Sequence, residues 1–218
     1  MAQPRKIQDR FFKMAKADGY LARSAYKLQE IHAKFRIINR GDHVLDLGCA
    51  PGSWLQVASE FVGEEGSAVG IDVLDVRHHV APNVRTMKGD VFAVTPADLF
   101  ELGGGIFDTV LSDMAPNTTG HGDDFLSARL CLRVLEVLPT LLKPGGCLAM
   151  KIFEGEDTPN VMYRARKVFR QVNAFKPRSS RDVSRETFIV AKGFRASEAR
   201  ETGPTPTGAA SDTPPGSA

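Results

Sequence analysis

The chain has 218 residues, 42% hydrophobic and 25% charged, with a formal net charge of +2. This composition suits a single soluble globular domain with a sizeable core, and no apolar run approaches the ~20 residues of a membrane span. The charged N-terminus MAQPRKIQDRFFKMAK lacks the apolar core of a secretory signal, and Cys49, Cys131 and Cys147 show no CxxC spacing, so no disulfide framework and no metal site is expected and the location is cytoplasmic.

Residues 1–40 carry ten Lys/Arg against three acids, Asp9, Asp18 and Glu30. A second basic run, KPRSSRDVSR, spans 176–185. One such run is most often a solvated face; two point to a polyanion partner, nucleic acid. The N-terminal segment interleaves aromatics, and Phe11, Phe12, Tyr20 or Tyr26 stacks on bases or packs the helix onto the domain. RSAYKLQEI reads as a helix start with Ser24 as N-cap.

Strands follow at HVLDLG (43–48), SAVGIDV (67–73), NVRTMKGD (83–90) and FDTVLSD (107–113), with a helix in PGSWLQVASEFV after the first. A long helix begins at DDFLSARL, capped by Asp123 or Asp124 and stopped at Pro144-Gly145-Gly146. CLAMKIF is a fifth strand, and a helix over 158–172 follows. AFKPRSS and ETFIVAKGF form a final pair of strands. Strand–helix alternation implies an α/β fold with a mostly parallel sheet, helices on both faces, and a ligand beyond the carboxyl ends of the strands. The division expected is a basic segment with its helix at 1–40, a domain at 41–195, and a disordered tail at 196–218, where nothing is larger and more apolar than Ala after residue 202.

VLDLGCAPGSW (44–54) is a strand ending in Asp46, a glycine turn, and a helix. It lacks both GxGxxG and the phosphate-loop pattern, so no pyrophosphate cradle is indicated. Gly48 and Gly52 let backbone approach a ligand closely. Asp72 ends the second strand, where an acid accepts hydrogen bonds from ribose hydroxyls. Asp90 ends the third, near where an adenine amino group would lie. Trp54 can wall the pocket. This constellation describes a site for S-adenosylmethionine.

A second set of polar residues falls where the chain should be apolar or well ordered: Lys27, Asp113, Lys151 and Glu186. Alone, Lys151 reads as an edge-strand lysine reaching solvent, and Glu186 as a surface partner of Arg185 or Arg181. Together, adjacent strand ends could bring Asp113, Lys151 and Glu186 beside the cofactor. His32, His43, His78, His79 and His121 lack ligand spacing and read as structural or surface residues.

SAYKL, DLGCAPGSW, LSDMAPN, MKIFEG and SRETFIVAKGF, in this order, closely resemble the FtsJ/RlmE family of ribose 2′-O-methyltransferases over about residues 5–195. One departure is Ser53, where the family often has glycine. The resemblance implies a Rossmann-like class I S-adenosylmethionine-dependent methyltransferase with a seven-stranded sheet. Its Lys–Asp–Lys–Glu tetrad falls on Lys27, Asp113, Lys151 and Glu186, and its cofactor contacts fall on Gly52, Trp54, Asp72, Asp90 and Asp113.

A ribose 2′-hydroxyl needs its proton removed or shared before attack, and a neutral lysine can take it. An ordinary lysine, with a pKa of ~10.4, is charged at neutral pH. Burial and a second cation favour loss of that charge; a carboxylate opposes it and holds the amine in place. Lys151 is thus the expected base, Asp113 its orienting partner, and Lys27 and Glu186 position the ribose. The resemblance further implies a uridine in the A-loop of 23S rRNA, methylated on the assembled large ribosomal subunit; the small domain and the absence of an obvious extra apolar face lead to the expectation of a monomer. Alternatives are a tRNA ribose methyltransferase, a small-molecule methyltransferase, and a non-catalytic assembly factor of the same fold.

Overall fold

The structure, a computed structural model, describes residues 5–78, 80–116, 122–181 and 184–196. Two helices come first, α1 (Arg5–Ala17) and α2 (Ala25–Phe35). They are followed by β1 (His43–Leu47), α3 (Ser53–Val62), β2 (Ser67–Asp72) and β3 (Val84–Lys88). Then come α4 (Pro96–Gly103), β4 (Phe107–Ser112), α5 (Asp123–Leu141), β5 (Leu142–Phe153) and α6 (Thr158–Val168). The hairpin β6 (Phe169–Phe175) and β7 (Glu186–Phe194) ends the described chain.

The strands form one sheet in the order β3-β2-β1-β4-β5-β7-β6, and β7 alone runs against its neighbours. This is the seven-stranded, mostly parallel sheet read from the alternation. The order reverses between β1 and β4, and a crevice opens there at the carboxyl ends.

Period-two alternation sends side chains to two cores. Leu45 and Leu47 face Leu99 of α4, Val134 and Leu138 of α5, and Val161 of α6. Val44, Leu111 and Val190 face Leu28 and Ile31 of α2 and Leu55 and Val57 of α3. Each large aliphatic buried this way contributes ~1.5–3 kcal/mol relative to leaving it exposed. α2 is therefore built into the domain core, and a division at residue 40 marks charge rather than packing. Phe11 and Tyr20 close on Tyr26 at 5.7 and 5.9 Å between rings, so these aromatics pack; Phe12 stays exposed.

Several elements differ from expectation. Ser24 stands at the N-cap of α2 without capping it; its hydroxyl meets the Ser53 hydroxyl at 2.8 Å instead. Gly122, at φ 94°, is the N-cap of α5, with Asp123 and Asp124 in the first turn, where carboxylates favour the helix dipole. β5 starts at Leu142, which pairs with Phe107 before a register shift, so Pro144-Gly145-Gly146 lie inside a strand. The helix expected to 172 ends at Val168: Phe169 turns extended, packs on Phe194 at 5.3 Å, and pairs with β7. β6 is thus FRQVNAF, and Lys176 onward is loop.

α4 was not expected. Its signal was present: Pro96 at the first turn, and Thr95 and Asp98 hydrogen-bonding reciprocally as a capping box. The expected tail beyond Ala196, His79 and His121 lie outside the described residues.

Candidate active site

Alternation also decides which polar residues meet. Val44 faces α2 and α3, so Asp46 does too. Leu111 sets the same face for Asp113, Ala149 for Lys151, and Phe188 for Glu186. α2 lies over this face and carries Lys27. β5 runs between β4 and β7, so Lys151 stands mid-sheet rather than on an edge. Because β7 is antiparallel, its first residue, Glu186, lies opposite Phe153 at the carboxyl edge.

Lys151 is 8% exposed, and Lys27 and Glu186 are each 7% exposed. Lys151 Nζ donates to the Asp113 backbone oxygen at 2.6 Å and lies 3.0 Å from Asp113 Oδ1. That ion pair is not aligned as a hydrogen bond, and among the described residues Oδ1 has no hydrogen-bond donor. Lys27 Nζ donates to Glu186 Oε2 at 2.8 Å. Lys27, not Arg185 or Arg181, is therefore the ion-pair partner of Glu186. Burial pushes the Glu186 carboxyl up, but the charge and hydrogen bond of Lys27 and the charge of Lys151 outweigh it, leaving it below the usual range.

A cationic rim borders this cluster. Burial, then Arg181, hold the Arg23 guanidinium below its usual value, with Glu186 opposing, so the three charges are neighbours. Among the described residues neither guanidinium has a hydrogen bond or an ion pair. Glu30 fixes the loop carrying Arg181, accepting from the backbone of Arg178 at 2.6 Å and of Ser179 at 2.9 Å.

Beside the tetrad lies a cavity of about 460 Å³, lined among others by Gly48, Asp72, Asp90, Phe92, Asp113 and Met114. Its size falls within the ~300–1,000 Å³ of small-molecule sites. Asp72 organises its floor, accepting from Ala50 N at 2.9 Å and Leu74 N at 2.8 Å. Asp90 accepts from Phe92 N at 2.9 Å. Gly48 has φ 82°, and a β-carbon there would run into Met114. Asp72, Asp90 and Asp113 thus share one cavity.

Gly52 and Trp54 do not line it. The Trp54 indole is turned into the core, donating Nε1 to the Ser24 oxygen at 2.8 Å and lying 5.7 Å from the Phe188 ring. Gly52, at φ 113°, faces Leu21, Val76 and Val80. What both bring is backbone: they open α3, whose first amides have no partner within the helix. Sequence reasoning missed Phe92, Met114 and Arg129 as cavity residues; they carry no chemical signature and arrive by folding. His43 meets Ser67 at 2.8 Å and His32 stacks on Phe61 at 4.1 Å. Among the described residues no group of three or more His, Cys, Asp or Glu could hold a metal.

A mostly parallel seven-stranded sheet in this order, with an acid-lined cavity at the switch point, is the Rossmann-like class I methyltransferase fold. A protein described as a ribosomal RNA methyltransferase from Plasmodium falciparum superposes with a TM-score of 0.70 at 28% identity, over 80% of this chain and 98% of that one. Aeropyrum pernix fibrillarin, solved with S-adenosyl-L-methionine bound, shares the fold at TM-score 0.57 and 18% identity, over 77% of this chain and 73% of that one. The FtsJ-like methyltransferase family model matches residues 20–194, and the chain belongs to that family. Among its relatives is the ribosomal RNA large subunit methyltransferase E of Desulfatibacillum aliphaticivorans, 43% identical over 84% of this chain and 89% of the relative. The protein of the same description from Pseudomonas fluorescens is 40% identical over 88% and 92%.

Proposed function

We propose that the chain transfers a methyl group from S-adenosylmethionine to the ribose 2′-hydroxyl of a uridine in the A-loop of 23S rRNA, on the assembled large ribosomal subunit. The observation that carries this is the convergence of Lys27, Asp113, Lys151 and Glu186 beside an acid-lined cavity. The names of the relatives support ribosomal RNA as substrate. Arg23 and Arg181, beside Glu186, and the basic N-terminal segment suit its phosphates. The protein works as a cytoplasmic monomer.

The residues present fit the cofactor. Asp72 and Asp90 offer carboxylates to the ribose hydroxyls and adenine amine, and Asp113 lines the same cavity with its Oδ1 held against Lys151. Gly52 and Trp54 contribute the α3 N-terminal amides, which favour a carboxylate. When bound, S-adenosylmethionine supplies an electrophilic methyl on a sulfonium. After giving one proton to solvent, the neutral Lys151 Nζ takes the 2′-hydroxyl proton, and the Asp113 carbonyl and carboxylate aim that nitrogen. The Lys27–Glu186 pair borders the ribose and fixes the direction of approach. Gly48→Ala forces a left-handed turn on an L-residue, at ~1–2 kcal/mol, and displaces Met114. Equilibrium dialysis should show clearly weaker S-adenosylhomocysteine binding by this variant; unchanged affinity would place the cofactor elsewhere.

The test of function uses methyl-labelled S-adenosylmethionine with large subunits, naked rRNA and bulk tRNA, each from a strain lacking the enzyme. Labelled 2′-O-methyluridine in the large subunit alone is the expected result. Label in tRNA alone keeps the chemistry and overturns the substrate. Cofactor binding without any label overturns the enzymatic role in favour of an assembly factor.

A further inference from the structure

Asp46 takes no part in the steps above, yet it is the most deeply buried carboxylate of the site. It is 1% exposed on β1, paired across to Gly70 of β2 and Leu111 of β4. Among the described residues neither of its oxygens has a hydrogen-bond partner. An ionised carboxylate without donors is costly to bury, and such a group neutralises instead. Burial, then the charges of Asp113 and Asp72, push this carboxyl well above the usual range.

Its neighbours set the direction of any response. β2 presents Asp72; the chain after β4 presents Asp113, which is already engaged by Lys151 of β5. The turn after β1 presents the Cys49 thiol, pushed up by burial and then by Asp46 and Asp72. Lys27 of α2 is taken by Glu186, and α3 packs Leu55, Val57 and Ala58 into this layer. Asp46 thus sits in a local excess of carboxylates, two of which line the cavity.

We propose that Asp46 is a proton-linked counter-charge that selects a cationic occupant: its carboxyl is neutral in the free protein and releases its proton to solvent when a sulfonium occupies the cavity. This rests on the cavity being the S-adenosylmethionine site. The effect acts through charge across a low-dielectric floor, where attraction is strong, and needs no direct hydrogen bond. Once the methyl has gone to the ribose, the sulfur is neutral, Asp46 recovers a proton from solvent, and the spent S-adenosylhomocysteine loses its counter-charge. Exchange of product for fresh cofactor is then favoured by one proton taken up and one released per turnover.

The sign follows from linkage. The folded free protein holds a proton on Asp46 that the unfolded chain loses above about pH 3.9, so Asp46 lowers stability as pH rises. The ligand that favours the charged form binds more tightly as pH rises.

Calorimetric titration of the full chain with S-adenosylmethionine and with S-adenosylhomocysteine, each in two buffers of different ionisation enthalpy, tests this. The range lies below about pH 7, where an α-amino group stays charged. Wild type should release more protons with the sulfonium ligand than with the thioether, and its preference for the sulfonium should climb with pH, up to about tenfold per unit at full linkage. Asp46→Asn, which mimics the neutral acid, should bind both with the same proton count and a flat preference. Equal proton release for both ligands in wild type, or undiminished release in Asp46→Asn, overturns the proposal while leaving the cofactor site standing. No heat with either ligand overturns the site as well. An infrared difference spectrum of wild type avoids the variant: a protonated-carboxyl band should vanish with S-adenosylmethionine and persist with S-adenosylhomocysteine. Its persistence with both overturns the proposal.

Discussion

Lys151→Ala should lower methyl transfer by ~10²–10⁴-fold, the span of a lost general base, to near background. Cofactor affinity should stay nearly intact, because the lysine contacts Asp113 rather than lining the cavity. Lys151→Arg should fail as well: it keeps a cation beside Asp113 but does not deprotonate. Single-turnover assays on large subunits, with S-adenosylhomocysteine binding measured in parallel, separate chemistry from binding. Near-wild-type turnover in either variant would remove Lys151 as the base. Weakened cofactor binding with preserved single-turnover rate would reassign it to the cofactor.

The second large effect concerns stability. Lys27→Met and Glu186→Gln each strand one member of a pair whose side chains are 8% and 9% exposed. Leaving a buried charge alone costs ~3–5 kcal/mol, and at ~2–4 °C per kcal/mol for a chain of this size the melting temperature should fall by roughly 6–20 °C. The double variant Lys27→Met/Glu186→Leu should recover much of this loss, since an apolar pair can replace a buried ion pair. It should not recover methyl transfer if the pair positions the ribose. Single variants within about 0.5 kcal/mol of wild type, as at ordinary surface positions, would show a solvated pair. The acid limb gives an independent check. The Glu186 carboxyl is held below its usual value, so its contribution is complete above the unfolded pKa of ~4.3. That contribution disappears as pH falls through the lower folded value, and Glu186→Gln should flatten that part of the curve.

Most of the fold was legible because strands and glycine turns carry local signals: GID and LSD end in acids, Asp72 and Asp113, where β2 and β4 reach the crevice. The tetrad was legible only as polar residues in apolar surroundings, with the family motifs assigning their roles. What the local pattern hid was tertiary. Phe169 could continue a helix or start a strand, and the waiting edge of β7 decided it. Trp54 could wall a pocket or fill a core, and the Ser24 carbonyl and Phe188 ring decided that. α4 has a local signal too, although it was not expected: Thr95, Pro96 and Asp98 spell out its start. Asp46 was visible as a strand-end acid, but its lack of partners is a property of the packed sheet.

The reversed direction of β7 has a consequence for how such a protein can diversify. In a parallel strand the residue at the crevice comes last, after the strand's register is set. Here Glu186 comes first, immediately after the basic loop. That loop hangs between β6 and β7, and Glu30 of α2 tethers its near side. Residues there can be inserted, deleted or exchanged between the Glu30 anchor and Ser184 while the β5–β7 ladder and the crevice at the switch point keep their alignment. New target surfaces can thus be explored on a hairpin tip, with the methyl-transfer apparatus inherited unchanged.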